Sequence, residues 1–297
     1  MAPATIVASS PGAAAALVKD LCSNGEVMNL VLSMTVALPI LNDPFLKVHL
    51  KAARDWQAEK RPPGLHISHG EYMHKYGNSI DYIVEELKRK PTSNRACISL
   101  VDTGAIRDSG DDALPSFLLL QAGFDRASDE ALLITAYYRA LEVSEFLPIN
   151  LAEMCLIAQT ISERIPSVSS LNLTVHAFRA HIVNGFRAHK RSLIDIVSVD
   201  EIQTWVQEDN VQKLSDLLIE KSRPETIIES TGLINLRIVL ENEGWSPDIR
   251  AALDQAILVQ SEVRTRRANG SHTSSITDCQ TRLTAQLENV ARLIRDR

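Results

Sequence analysis

Apolar and polar positions change period several times along this chain, and the changes divide it into elements. Residues 1–12 have no sustained pattern and read as a flexible lead, followed by a short helix over 13–22. From Val27 to Ile40 a β-branched, apolar run predicts a strand. Asn42-Asp43-Pro44 then opens a helix that reaches about Gln57 and is broken by Arg61-Pro62-Pro63-Gly64. Residues 78–90 have helical spacing with Asn78 or Ser79 as cap, and Pro91 ends the run. Buried strands are predicted at Ala96–Val101, Ser116–Gly123, Leu132–Ala140 and Leu171–Phe178, with a polar loop at 102–112 and an apolar helix at 149–163. The middle of the chain therefore reads as a sheet packed by helices.

After about residue 182 the period becomes helical throughout. Helices are predicted over Ser198–Glu208, Val211–Glu220 and Pro224–Asn242. Ser246-Pro247 opens another that runs to about Arg267. A polar hinge at 268–275 leads into a last helix. Its stripe of Ile276, Leu283, Leu287, Val290 and Leu293 closes a helical hairpin and seals either against its own domain or against a partner chain. The expected organisation is a lead with a short helix (1–24), a sheet domain (25–190) and a helical region (191–297).

Composition narrows the function classes. The chain has 297 residues, 45% hydrophobic and 23% charged, enough to bury a core without covalent staples. Its 31 basic and 37 acidic side chains give a net charge of −6, against a general nucleic-acid binder. No apolar run approaches the ~20 residues that cross a bilayer, and the start lacks the basic segment of a secretory signal. Cys22, Cys97, Cys155 and Cys279 form no CxxC pair. A reduced, cytoplasmic setting is expected, in which the Asn269-Gly270-Ser271 sequon has no role. His66, His69 and His74 lack the spacing of a helical metal pair, and no metal is expected. The tetrapeptide Phe-Arg-Ala-His occurs at 178–181 and again at 186–189; on a helix the two copies would share a face, either as a basic contact or as solvated surface.

One run carries a more specific message. In Tyr138-Arg139-Ala140-Leu141-Glu142 through Phe146-Leu147-Pro148-Ile149-Asn150, an Arg, an acid three residues on, and a Leu-Pro-x-Asn recur at the interval found in the thymidylate synthase / dCMP (CMP) hydroxymethylase family. Residues 80–98 resemble that family's helix followed by Pro-x-Ser-Arg-Arg and a strand. Residues 113–121 (ALPSFLLLQ) resemble its Ala-Leu-x-Pro-Cys-His…Gln segment, and Val175–Phe178 its late strand. The resemblance spans residues 25–185 and implies a thymidylate synthase-like α/β (α+β) mixed sheet packed by helices, a homodimer, and the C-terminal helices as an addition.

The resemblance also implies roles. Arg139 takes the place of a phosphate-binding arginine, suited by its planar, permanently charged fork; pairing with Glu142 is the alternative. Arg95 takes the place of a second arginine that reaches the neighbouring subunit's phosphate, with Asn94 where a further arginine stands; a surface ion pair is its alternative. Gln121 anchors the alignment and joins the nucleotide set. Asn150 takes the place of the residue that reads the pyrimidine edge, since an amide offers both donor and acceptor; a helix N-cap is its alternative. His176 takes the place of a ribose contact or is a core histidine, and Phe178 lacks the hydroxyl of the family's tyrosine. Glu142 stands for the catalytic-segment acid. Ser116 stands where the family keeps its nucleophilic cysteine, and a serine hydroxyl needs an adjacent base that a thiolate does not.

Counterparts of the family's folate-binding elements are absent, so tetrahydrofolate is not expected as a cofactor. The resulting expectation is a catalytically altered or inactive homologue that binds a pyrimidine nucleotide monophosphate or serves as a structural subunit. The alternatives are a pyrimidine C5 methyl- or hydroxymethyltransferase with a non-cysteine mechanism, and an assembly protein recruiting a partner through residues 246–297.

Overall fold

The computed structural model describes residues 4–108, 114–125, 128–183, 190–226, 229–268 and 274–297. The chain forms two compact units, one of Met1–Pro62 with Ile67–Phe186, the other of Pro63–His66 with Arg187–Arg297.

The first unit runs β1 (Thr5–Ala8), α1 (Pro11–Cys22), β2 (Val27–Ala37), α2 (Pro44–Gln57), α3 (His69–Met73), α4 (Ser79–Arg89), β3 (Cys97–Ser99), α5 (Thr103–Asp108), β4 (Phe117–Asp125), β5 (Ser128–Tyr138), β6 (Leu141–Glu142), α6 (Phe146–Arg164) and β7 (Ser170–His181). Its seven strands form one mixed sheet in the order β1-β2-β7-β5-β4-β3, with β6 beside the end of β7. Pairing is parallel for β1–β2, β5–β7 and β6–β7, and antiparallel elsewhere. The α/β class expected from sequence is the class observed.

Strand register explains the two faces. One transverse row is Leu32, Val175, Ala136, Leu120 and Ile98, all buried. The next row, one residue along each strand, is Val31, His176, Tyr137, Leu119 and Ser99, and none of these is buried. Side chains alternate across a strand, so α1, α2, α4 and α6 pack on the first face and the second is left uncovered within this unit. The starts of α1, α2 and α4 are fixed by side-chain caps. Ser10 caps α1, Asp43 accepts from the Phe45 and Leu46 amides at 2.9 and 3.1 Å, and Asn78 caps α4. Helix α6 is buried on nearly every side, from Leu147 through Ile161, as the central packing element of the unit.

Three differences from the sequence reading have physical causes. Residues 5–8, expected as lead, form an edge strand because Val31 donates its amide to the Ala4 carbonyl and β2 offers an unpaired edge. The 102–112 loop includes α5, and residues 109–113 lie outside the described residues. The first Phe-Arg-Ala-His copy lies in β7 and not on a helix, because ladder pairing with β2 and β6 supplies its backbone bonds; the second copy lies outside the described residues.

The second unit contains a 3-10 turn (Leu193–Asp195), α7 (Val199–Gln207), α8 (Val211–Lys221), α9 (Thr231–Asn242), α10 (Pro247–Ala268) and α11 (Ser274–Arg295). Helix α9 begins at Thr231 and not at Pro224, since residues 222–226 turn and Thr226 bonds back to the end of α8. Ser198 and Glu201 make a reciprocal capping box on α7. From the α11 stripe, Leu283, Leu287 and Val290, continued by Ile294, are buried in the core of this unit with Leu293 packed against it, and Ile276 is buried as well. The hinge expected at 268–275, with the 269–271 sequon, falls largely outside the described residues. No described helix is long and apolar enough to cross a membrane.

A buried lysine organises this unit. Lys221 is fully buried, and its ammonium donates to Asp195 Oδ2 at 2.6 Å, to the Thr226 carbonyl at 2.6 Å and to the Glu229 carbonyl. Asp195 also accepts from Ser192 Oγ and from the Gly232 amide at 2.9 Å. All three ammonium protons are used, as a buried charge requires. Gly232 permits the approach, because a Cβ there would stand 2.3 Å from the Ile194 carbonyl oxygen.

Candidate functional site

The residues singled out by sequence fall into three places in the first unit. Ser116 and Arg139 meet where β4 begins and β5 ends, at the open end of that hairpin. The Arg139 amide donates to the Ser116 carbonyl at 2.9 Å, and its guanidinium donates to the carbonyls of Leu114 and Pro115 at 2.9 and 3.3 Å. No acid pairs with Arg139 among the described residues, so the expected alternative, a bond to Glu142, is not what holds it. Two carbonyls orient the fork without neutralising it, and the side chain is exposed. Ser116 is half-buried.

Glu142 and Asn150 lie at the start of α6. The buried Glu142 carboxylate accepts from the amides of Ser144, Glu145 and Phe146 at 2.9, 2.7 and 3.3 Å, which satisfies orphan donors at the helix N-terminus. Asn150 is not an N-cap, since α6 begins four residues earlier. The residue is 4% exposed, and its Oδ1 has no hydrogen-bond partner among the described residues.

Arg95 and Gln121 lie at the β3–β4 side of the sheet. Glu86 accepts from Ser93 Oγ and from Arg89, and these bonds hold its carboxyl below the usual range. The Ser93 hydroxyl in turn receives the Arg95 amide at 3.1 Å, Tyr82 Oη donates to the Arg95 carbonyl at 2.8 Å, and Gln121 Nε2 donates to the Asn94 carbonyl at 3.2 Å. The loop backbone is thus fixed while the Arg95 side chain stays exposed, with no ion pair among the described residues. A cavity of about 230 Å³ is lined here by Ser93, Asn94, Gln121, Gly123, Leu133 and Thr135. His176 is half-exposed on the uncovered face and not in the core; it lies two strands across and two residues along from Gln121, in the row of Tyr137 and Leu119. Asn150, by contrast, is under the covered face. The structure joins Ser116 to Arg139 and Glu142 to the start of the Asn150 helix; it does not bring His176 to Asn150.

Sequence reading missed a cluster beside Asn150. Glu153, one turn further along α6, is fully buried, and His69 Nδ1 meets its two carboxylate oxygens at 2.8 and 3.0 Å. Trp56, Phe117, Tyr138 and Phe146 surround the pair. Ring centroids are 5.0 Å apart for Trp56–His69, 5.3 Å for His69–Phe117, 5.2 Å for Phe117–Tyr138 and 5.1 Å for Trp56–Phe146. Burial, with the Glu153 charge, pushes the Tyr138 phenol well up, and its hydroxyl has no partner among the described residues. The available signal was a charged residue, Glu153, within an apolar helical run: an acid at a core position needs a partner. Of the other histidines in that stretch, His66 meets Glu229 at 3.1 Å, and no group of three metal-binding side chains occurs among the described residues.

No known sequence family and no curated protein matches the chain. Among solved structures, the crystal structure of thymidylate synthase from T4 phage matches with 13% identity and a TM-score of 0.42, over 57% of this chain and 75% of that one.

Proposed function

We propose that the first unit binds a pyrimidine nucleoside monophosphate and that the family's methyl-transfer chemistry is lost or altered. The observation that carries this reading is the pair Arg139 and Asn150. Arg139 keeps a guanidinium with no acidic partner among the described residues, next to Ser116 at the open end of the β4–β5 hairpin. Asn150 keeps a buried amide oxygen without a partner among the described residues. Leaving a buried polar group unpaired costs about 1–3 kcal/mol, so such a group is expected to meet a ligand or an ordered water. Arg139 supplies phosphate recognition and Asn150 base recognition, while Arg95, Gln121 and His176 serve the uncovered face. Ser116 cannot supply a thiolate, and Glu142 is engaged in capping α6.

A thermal-shift panel with UMP, dUMP, CMP, dCMP and dTMP, repeated on Arg139→Ala, tests the binding. A nucleotide at ~100 times its dissociation constant adds ~2.7 kcal/mol of stability, and the shift is expected to vanish in the variant. No shift with any nucleotide rejects the reading. Release of tritium from C5-labelled dUMP or dCMP with a one-carbon donor tests the chemistry; none is expected.

The uncovered sheet face supports a homodimer as the assembly. It presents Leu119, Leu133 and Tyr137, each 37–38% exposed, amid Thr135, Thr174 and His176. An apolar patch of this kind marks a contact surface.

A further inference from the structure

The His69–Glu153 pair has more polar capacity than packing uses. A carboxylate only accepts hydrogen bonds, so the short contacts to Glu153 place the imidazole proton on Nδ1. In the neutral ring Nε2 then holds a lone pair. It has no partner among the described residues. Asn150, one turn before Glu153 on the buried side of α6, and Tyr138, stacked on Phe117, add two unpartnered polar atoms to the same cluster. The ring position is fixed from below: a Cβ on Gly70 would stand 2.1 Å from the Ala58 carbonyl oxygen, so α3 is seated directly on the end of α2. A histidine held only for packing would not require a fully buried carboxylate, whose desolvation is costly. A carboxylate held at that cost also sets which ring nitrogen carries the proton.

We propose that His69, with its tautomer set by Glu153, is the acceptor that receives an N–H of a bound pyrimidine, beside Asn150 and among the rings of Trp56 and Phe117. The inference rests on the nucleotide reading above. His69 is then a recognition residue and Glu153 a positioning residue. Asn150 supplies the complementary contact, since its amide offers either a donor or an acceptor to the neighbouring atom of the base edge.

The test is calorimetry on the full chain with dUMP and dCMP, and with counterparts whose N–H groups are methylated, 3-methyl-dUMP and N4,N4-dimethyl-dCMP. His69→Phe keeps an aromatic ring and removes the acceptor. The nucleotide that binds is expected to lose about tenfold in affinity in this variant, a single hydrogen bond's share. Its methylated counterpart is expected to bind the unaltered protein and the variant equally. Glu153→Gln retains an acceptor oxygen and is expected to keep most of the affinity, whereas Glu153→Ala loses it. If His69→Phe fails to fold, the two Glu153 variants and the methylated ligands decide. Unchanged affinity in His69→Phe, or an equal methylation penalty in both proteins, overturns the role of His69 while leaving a nucleotide pocket. No binding of any nucleotide to the unaltered protein overturns the pocket and this role together.

Discussion

At the scale of single residues, buried charge is placed where the backbone or another charge can answer it. Glu142 answers three amides at the start of α6. Glu142→Ala is therefore expected to cost about 2 kcal/mol in urea unfolding, near the upper end of cap losses, and an unchanged midpoint would refute the capping role. Lys221 answers Asp195 and two carbonyls with no exposure at all. Burial draws its ammonium down in pKa while Asp195 opposes that shift. Lys221→Met leaves Asp195 buried without its counter-charge, a change that typically costs about 3–5 kcal/mol. A loss below about 1 kcal/mol would show that Ser192 and Gly232 suffice for Asp195. Asn150 is the contrary case, a buried amide oxygen left unanswered, and the functional reading begins there.

At the scale of elements, helix α6 is buried on nearly every side under the sheet, and α10 with α11 supplies much of the buried core of the helical unit. Leu287 and Leu283 are fully buried among α8, α10 and α11. Leu287→Ala is expected to cost about 2–5 kcal/mol by transfer and cavity terms together. Because the stripe is consumed internally, deleting residues 246–297 is expected to expose Leu214, Leu218 and Leu236 and to raise binding of a hydrophobic dye. A truncated protein that stayed compact and dye-free would instead support the alternative in which these helices serve a partner.

At the scale of the molecule, acid sensitivity and association follow from surfaces and networks. Burial alone would raise the Glu229 carboxyl, yet hydrogen bonds and charge from His66 and Arg191 outweigh it and bring it down to about 2. A carboxyl lowered from 4.5 in the unfolded chain contributes its stability fully above pH 4.5 and loses it as pH falls toward 2. The contribution is on the order of 2 kcal/mol after allowance for screening at a partly exposed site. Glu229→Gln should flatten the acid limb of a stability–pH profile between those values; an unchanged limb would place the acid-labile network elsewhere. For the sheet unit, sedimentation equilibrium is expected to show a dimer that Leu133→Lys or Tyr137→Lys dissociates while the melting of the monomer is kept. A monomer in the unaltered protein would remove the uncovered face as the assembly surface.

Local pattern alone determined most elements. Asp43-Pro44, Asn78, Ser198 and the period changes located helix starts within a few residues, because caps and amphipathic spacing act over a single turn. The α/β class, the buried C-terminal stripe and the Arg139–Asn150 interval were equally readable. Tertiary structure alone decided what depends on pairing between distant segments. The β1 edge strand exists because β2 had a free edge. The side of the sheet on which His176 falls was fixed by register with Val31 and Tyr137. The starting point of α6 was set by Glu142 reaching forward to three amides, which removed Asn150 from the cap position. Above all, His69 and Glu153 are 84 residues apart in the chain and meet only because α3 is seated on the end of α2 beside α6. A short-range pattern carries no record of a contact between residues so far apart, whereas the cost of burying a carboxylate makes that contact a requirement of the fold.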